Sequence, residues 1–282
     1  MVKKLLSIFR SVSRALTSKT FLLWFFSIVF MLVFVVYQRL TGPTHPARGK
    51  AEIAGETVNY KLLRSWGNEG DAKIEIEVAE KGVAGTFMFR RFKSHDEWSE
   101  VPMQRIGEKL IAFIPHQPPA GKVMYNIILN KNGSKVTVRE EPVILRFTGV
   151  VPEYILIPHI LLMFLAMVFS LRAGFEAYFR RKNIFKYTQY TVILFFLGGL
   201  ILGPIVQKYA FDALWTGWPF GHDLTDNKTI VAFIFWAIAL FKTMKDKKHR
   251  TWVLIATVAL IAVYLIPHSV LGSEIDFTQI QE

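Results

Sequence analysis

Three histidines in this 282-residue chain sit in settings that suit ligand chemistry. His159 ends the run Leu156-Ile-Pro-His, and His268 ends the identical run Leu265-Ile-Pro-His. His222 lies in Trp215-Thr-Gly-Trp-Pro-Phe-Gly-His-Asp, which also carries Asp223. Neutral imidazole is the commonest protein donor to zinc, copper and iron, so His159, His222, His268 and Asp223 form a candidate set for a transition metal. His159 and His268 also suit axial ligation of a haem from opposite faces, with Trp215 and Trp218 as an apolar wall. Either reading requires convergence, because ring nitrogens must come within about 2 Å of a metal. A plainer reading competes. Trp215 and Trp218 fit an interfacial aromatic belt, and Asp223, Thr225 or Asp226 suits the N-cap of a following helix.

The elements that would position these groups are apolar. Five segments, 20–38, 154–171, 187–207, 229–241 and 251–273, contain no Asp, Glu, Lys or Arg. They predict transmembrane helices at 20–38, 152–172, 187–207, 228–243 and 251–267. The fourth holds only thirteen uncharged residues, so Lys228 and Lys242 must snorkel or the helix must begin in the preceding loop. Gly199 and Gly203 form a small-xxx-small pair suited to close helix approach.

The net charge of +12 could suggest nucleic acid, but its placement argues otherwise. Residues 1–20 carry five basic groups and no acidic one; links 172–187 and 242–250 carry five each, against Glu176 and Asp246. The alternate loop 208–228 has Lys208 and Lys228 against Asp212, Asp223 and Asp226, and the tail 268–282 has no Lys or Arg. This is the positive-inside pattern. It predicts a cell inner (plasma) membrane protein with its N-terminus inside, and with residues 39–149, the 208–227 loop and the tail outside. Segment 1–19 reads as a basic amphipathic helix on the inner leaflet. Nucleic acid is excluded as a partner.

After the Pro/Gly linker at 39–49 the period changes from helical to two. Lys73-Ile-Glu-Ile-Glu-Val78 alternates as a half-buried strand does, and turn signals separate six or seven such runs. The expected fold class is a five-helix membrane bundle carrying an inserted extracytoplasmic antiparallel β-sandwich at 50–149. The dense polar run Arg90–Trp98 reads as a strand end and a solvated loop. Ile114-Pro-His-Gln-Pro-Pro-Ala-Gly-Lys-Val-Met-Tyr125 resembles the late-strand edge of immunoglobulin-like and fibronectin type III-like modules. That resemblance implies architecture alone, with the Tyr125 phenol capping a corner.

Cysteine is absent, which removes disulfides, zinc–thiolate sites and thiol nucleophiles. The chain has no P-loop, Gly-x-Ser-x-Gly or His-Glu-x-x-His motif and no charge in the middle of an apolar segment, so enzyme and ion-transport readings are weak. Trp215, Trp218, Gly221 and Asp223 resemble, at different spacing, the tryptophan-rich haem-handling loop of cytochrome c assembly membrane proteins. Two expectations follow. One is a non-enzymatic accessory, assembly or scaffold protein that engages other membrane or extracytoplasmic proteins; the other is an outward-facing redox or haem/metal-handling protein.

Overall fold

The computed structural model of the chain describes residues 18–53, 55–246, 248–267 and 272–279. All but the last two residues of the expected amphipathic segment 1–19 lie outside them, as does His268.

Among the described residues five helices form: α1 (Lys19–Thr41), α2 (Glu153–Tyr178), α3 (Ile184–Phe211), α4 (Leu224–Lys245) and α5 (Arg250–Leu265). The first four contain 23, 26, 28 and 22 residues. At about 1.5 Å per residue each exceeds the roughly 30 Å of a bilayer's hydrocarbon core. α5 has 16 residues and reaches only about 24 Å. Among the described residues, four helices are therefore long and apolar enough to cross a membrane, and α5 is a shorter apolar helix. α4 resolves the short fourth segment by starting in the loop, with Asp223 as its N-cap and Lys228 inside the helix.

Packing within the helical unit uses small residues. Ala166, Ala173 and Ala177 of α2 are buried with Ala232, Trp236 and Ala239 of α4 and with Val253, Ala256 and Leu260 of α5. Small side chains let helix backbones approach closely where apolar surroundings offer little drive for association. Residues Phe196–Leu202 of α3 are π-helical, and a Cβ at Gly198 would lie 2.9 Å from Cβ of Leu162 in α2. Gly203, expected to form the close approach with Gly199, has no atom nearer than 3.6 Å to such a Cβ. α1 buries only Leu23 and Ser27 and exposes Phe21, Phe25, Phe26, Phe30, Val33 and Val36. A face that apolar suits lipid and would be an association liability in water.

The β-rich unit holds eleven strands: β1 (Ala47–Ile53), β2 (Glu56–Leu62), β3 (Ser65–Trp66), β4 (Ala72–Glu77), β5 (Ala84–Arg91), β6 (Ser99–Pro102), β7 (Gln104–Ile106), β8 (Lys109–Ile114), β9 (Lys122–Lys131), β10 (Ser134–Thr137) and β11 (Val143–Phe147). Alternation does its expected work in β4, where Ala72, Ile74 and Ile76 are buried and Lys73 and Glu77 are exposed. The strands pair in three sheets, β1-β2, β3-β11-β9-β5-β6 with β10 also on β9, and β4-β8-β7. One core joins them, centred on Ile53, Leu62, Ile74, Phe87, Ile114, Tyr125, Ile127 and Phe147. Buried Met103 alone separates β6 from β7, so the chain leaves the six-stranded sheet for the three-stranded one within a single residue.

This overturns the expected fold class. In chain order the protein has a β-rich N-terminal half followed by a helical C-terminal half, not a helical bundle with an inserted sandwich. The packed helical core is made by the helices that follow the strands, and α1 adds only a marginal face. The immunoglobulin or fibronectin III type is corrected too. Three sheets replace two, and β3 runs parallel to β11 through Ser65–Arg146 and Trp66–Phe147. Alternating runs specify which face of a strand is buried, but not its neighbour across the sheet.

Tyr125 is fully buried and its phenol donates to the Leu63 carbonyl at 2.7 Å, just before β3. Burial pushes its pKa well above the ordinary tyrosine value. Tyr125→Phe removes that donor and leaves the carbonyl unpaired. It is expected to lower the unfolding free energy of the β-rich unit by about 1 kcal/mol, read from chemical denaturation followed by near-ultraviolet circular dichroism.

Candidate functional site

The loop before α4 brings most of the sequence-selected polar residues to one place in the helical unit. Asp223 takes the N-cap position, its carboxylate accepting from the Thr225 amide at 2.7 Å. One turn on, the buried Asp226 carboxylate accepts from the Gly217 amide at 3.0 Å, and Asn227 accepts from the Trp218 amide at 2.7 Å. Lys228, also buried, donates to the Ile266 carbonyl at 2.8 Å and the Pro267 carbonyl at 3.4 Å, just beyond the end of α5. Helix ends leave amides and carbonyls without intrahelical partners, and an anion at an N-terminus or a cation at a C-terminus satisfies both the hydrogen bonds and the helix dipole. Asp223 performs that task at the start of α4 and Lys228 beyond the end of α5, while Asp226 ties the preceding loop to the first turn of α4. Gln38 of α1 adds a bond from its side-chain amide to the Ile266 carbonyl at 3.0 Å.

His159 is half-buried on α2, and its Nδ1 lies 2.9 Å from the carbonyl of Gly198 in the π-helical part of α3. His222 is exposed beside the N-cap, and Trp218 is 74% exposed. Trp215 belongs to the β-rich unit, whereas Trp218, His222, Asp223 and His159 belong to the helical one. The expected convergence of three imidazoles includes His268, outside the described residues. Among the described residues, no group of three or more His, Asp and Glu side chains is placed to hold a metal ion.

A second polar centre lies at the other end of α2. Arg172 and Glu176, one turn apart, are both fully buried, with Nη2 of Arg172 2.6 Å from Oε1 of Glu176. The guanidinium also lies over the rings of Trp24 (5.5 Å) and Tyr187 (4.8 Å), two cation–π contacts. Arg181 Nε reaches the same Glu176 oxygen at 3.1 Å, while Oε2 accepts from the Asn183 amide at 3.0 Å. Among the described residues, Nε and Nη1 of Arg172 have no hydrogen-bond partner. Composition marks these as two charges close to an apolar segment; it does not reveal that aromatic rings from α1 and α3 close over them.

The β-rich unit contains a third centre, which the sequence did not reveal. It takes in Gln207–Thr216 and the described tail residues 272–279 as well as the strands. Glu274 binds both Lys93 and Lys122, and Arg146, itself buried, reaches the Gly272 carbonyl at 3.4 Å and lies 5.5 Å from the Phe211 ring. Arg91 pairs with Asp96 through two bonds at 2.8 and 2.9 Å and stacks on Phe277 at 4.7 Å. The Gly149 amide donates to the Ala210 carbonyl at 3.0 Å, and a Cβ at Gly149 would sit 2.2 Å from the Tyr209 carbonyl oxygen. The run Arg90–Trp98 is thus more than a solvated loop. Lys93 and Arg91 receive a segment nearly two hundred residues away in the chain, which no local pattern encodes.

No family model matches the chain, and no curated protein matches it. Among solved structures, the chain is similar to one titled "Crystal structure of Br derivative BhCBM56", at 10% identity and a TM-score of 0.25, covering 35% of this chain and 99% of that one. At that TM-score the likeness carries no argument.

Partial burial alone would raise the Glu274 pKa, but the hydrogen bonds from Lys122 and Lys93 outweigh it and hold the carboxyl below the ordinary glutamate value. Its stabilising contribution is therefore complete above that ordinary value and is lost as pH falls through the depressed one. Glu274→Gln is expected to lower the thermal midpoint of the β-rich unit by a few degrees at pH 7, with the deficit shrinking toward pH 3. Scanning calorimetry of wild type and variant across that range checks it.

Proposed function

We propose that this protein is an integral membrane accessory, assembly or scaffold subunit whose β-rich unit works on the extracytoplasmic side of an inner (plasma) membrane. One observation carries the reading. The positive-inside rule assigns residues 39–149, the loop after α3 and the C-terminal tail to one side, and 207–216 and 272–279 pack with the strands in one compact unit. Segments remote in sequence, grouped by charge alone, belong to one compact unit, and Glu274 ties the tail to Lys93 and Lys122. The apolar exposed face of α1 and three further helices of membrane-spanning length support the membrane assignment. The carboxylates of Asp223 and Asp226 and the His159 ring are engaged in internal bonds, which favours this reading over haem or metal handling.

Reporter fusions test the orientation. Those after residue 150 and at residue 282 are expected to read as extracytoplasmic, and those after Arg181 and Lys248 as cytoplasmic. A cytoplasmic signal from the 150 fusion overturns the orientation. The partner role is tested separately, with a photoreactive residue at Phe113, half-exposed on β8. Irradiating intact membranes should give one discrete protein adduct, whereas unmodified protein alone would count against a partner engaging this face.

A further inference from the structure

The basic links between α2 and α3 and between α4 and α5 meet at a cleft of about 600 Å³ in the helical unit. It is lined by Arg180, Arg181, Lys182, Ile184, Lys248 and Arg250. Five of the six lining residues are permanent cations. That volume falls in the range of small-molecule sites, and all but one of the lining residues are basic. Its chemistry is that of an anion site.

Three features keep the positive charge uncompensated. First, the acidic groups of these two links are already committed. Glu176 is fully buried against Arg172 and Arg181 and also accepts from the Asn183 amide, and Asp246 accepts from the Lys248 amide. Second, Arg180, Lys182, Lys248 and Arg250 enter no ion pair among the described residues, whereas Arg181 is fixed in the wall by Glu176 and by a bond to Thr20. Third, Ile184 and Arg250 are the first residues of α3 and α5, so two helix N-termini open at the cleft. Neither N-cap residue, Asn183 or His249, supplies a side-chain cap bond to its helix, and neither first turn holds an acidic residue. The amides and positive dipole ends of two helices therefore add to the five side chains.

We propose that this cleft binds a phosphate-bearing anion. Guanidinium groups offer forked donors that match phosphate oxygens, and lysine ammonium groups add mobile point charges. The phosphate could be carried by an anionic lipid headgroup or by a soluble phosphate compound. A basic pocket at the ends of membrane-spanning helices on the cytoplasmic side suits the headgroup, and only that source depends on the orientation proposed above. Binding of soluble phosphate would stand whichever way the chain is inserted.

The full-length protein in neutral detergent provides the test. Native mass spectrometry with phosphatidylglycerol, with phosphatidylcholine as a zwitterionic control, reports headgroup capture; thermal shift with inorganic pyrophosphate reports the soluble source. At least one anionic probe is expected to bind, with an affinity that falls as salt is raised. The double variant Arg180→Gln with Lys248→Gln leaves the Glu176 contacts intact and should weaken that binding about thirtyfold, as expected for two lost cations near a bound charge. A control removing two cations elsewhere, Lys50→Gln with Lys61→Gln, should leave it unchanged, and unliganded thermal midpoints show that each variant is folded. Phosphatidylglycerol binding that the cleft variant weakens assigns the site to lipid, and pyrophosphate binding so weakened assigns it to a soluble compound. Failure of both probes to bind, or equal loss in both variants, overturns the proposal.

Discussion

A guanidinium with no exposure, held by one carboxylate and two aromatic faces, organises one end of the helical unit. Arg172 draws Trp24 of α1 and Tyr187 of α3 onto its ring contacts and fixes Glu176 one turn along α2. Removing one partner from a buried pair strands the other, at a cost of roughly 3–5 kcal/mol, whereas the pair itself adds little net stability. Its value here is positional. Glu176 holds the Arg181 guanidinium and the Asn183 amide, so one buried carboxylate shapes the turn into α3 and one wall of the basic cleft. α1, which buries little apolar surface, depends on such polar ties, and Arg181 adds one to Thr20.

The far end of α2 and the loop before α4 obey a different constraint. Apolar surroundings make every unpaired backbone group expensive, and helix termini expose several at once. Asp223 and Asp226 answer amides around the start of α4, Lys228 and Gln38 answer carbonyls beyond α5, and His159 contacts a carbonyl in the π-helical turn of α3. Asp223, which resembles a ligand in a linear reading, is engaged in capping α4.

The β-rich unit shows how charge can carry tertiary information. Lys93 and Lys122 share Glu274, while Arg146 and Arg91 stack on Phe211 and Phe277. Cationic groups on the strands, with Lys93 in the turn after β5, thus meet a carboxylate and two rings supplied from beyond them. Because the tail has no basic residue, its Glu274 is free to complement this seam, and the bias that reads as membrane topology is also what lets the segments join.

Composition and spacing by themselves determined the positions of the apolar helices, the change to strand periodicity after residue 46, the lopsided charge and the absence of thiol chemistry. Each is a local or summed property: helix length follows from uncharged runs, and burial in β4 follows from alternation at Ala72, Ile74 and Ile76. Only the tertiary structure decided that β3 lies parallel to β11, that Met103 carries the chain between sheets, and that α5 stops at 16 residues. It also decided that Asp223 caps a helix, that Arg172 is enclosed by aromatic rings, and that Glu274 lies between two lysines. Apart from the local cap at Asp223, these depend on partners up to hundreds of residues apart, and contacts at such separations leave no periodic trace in a single sequence.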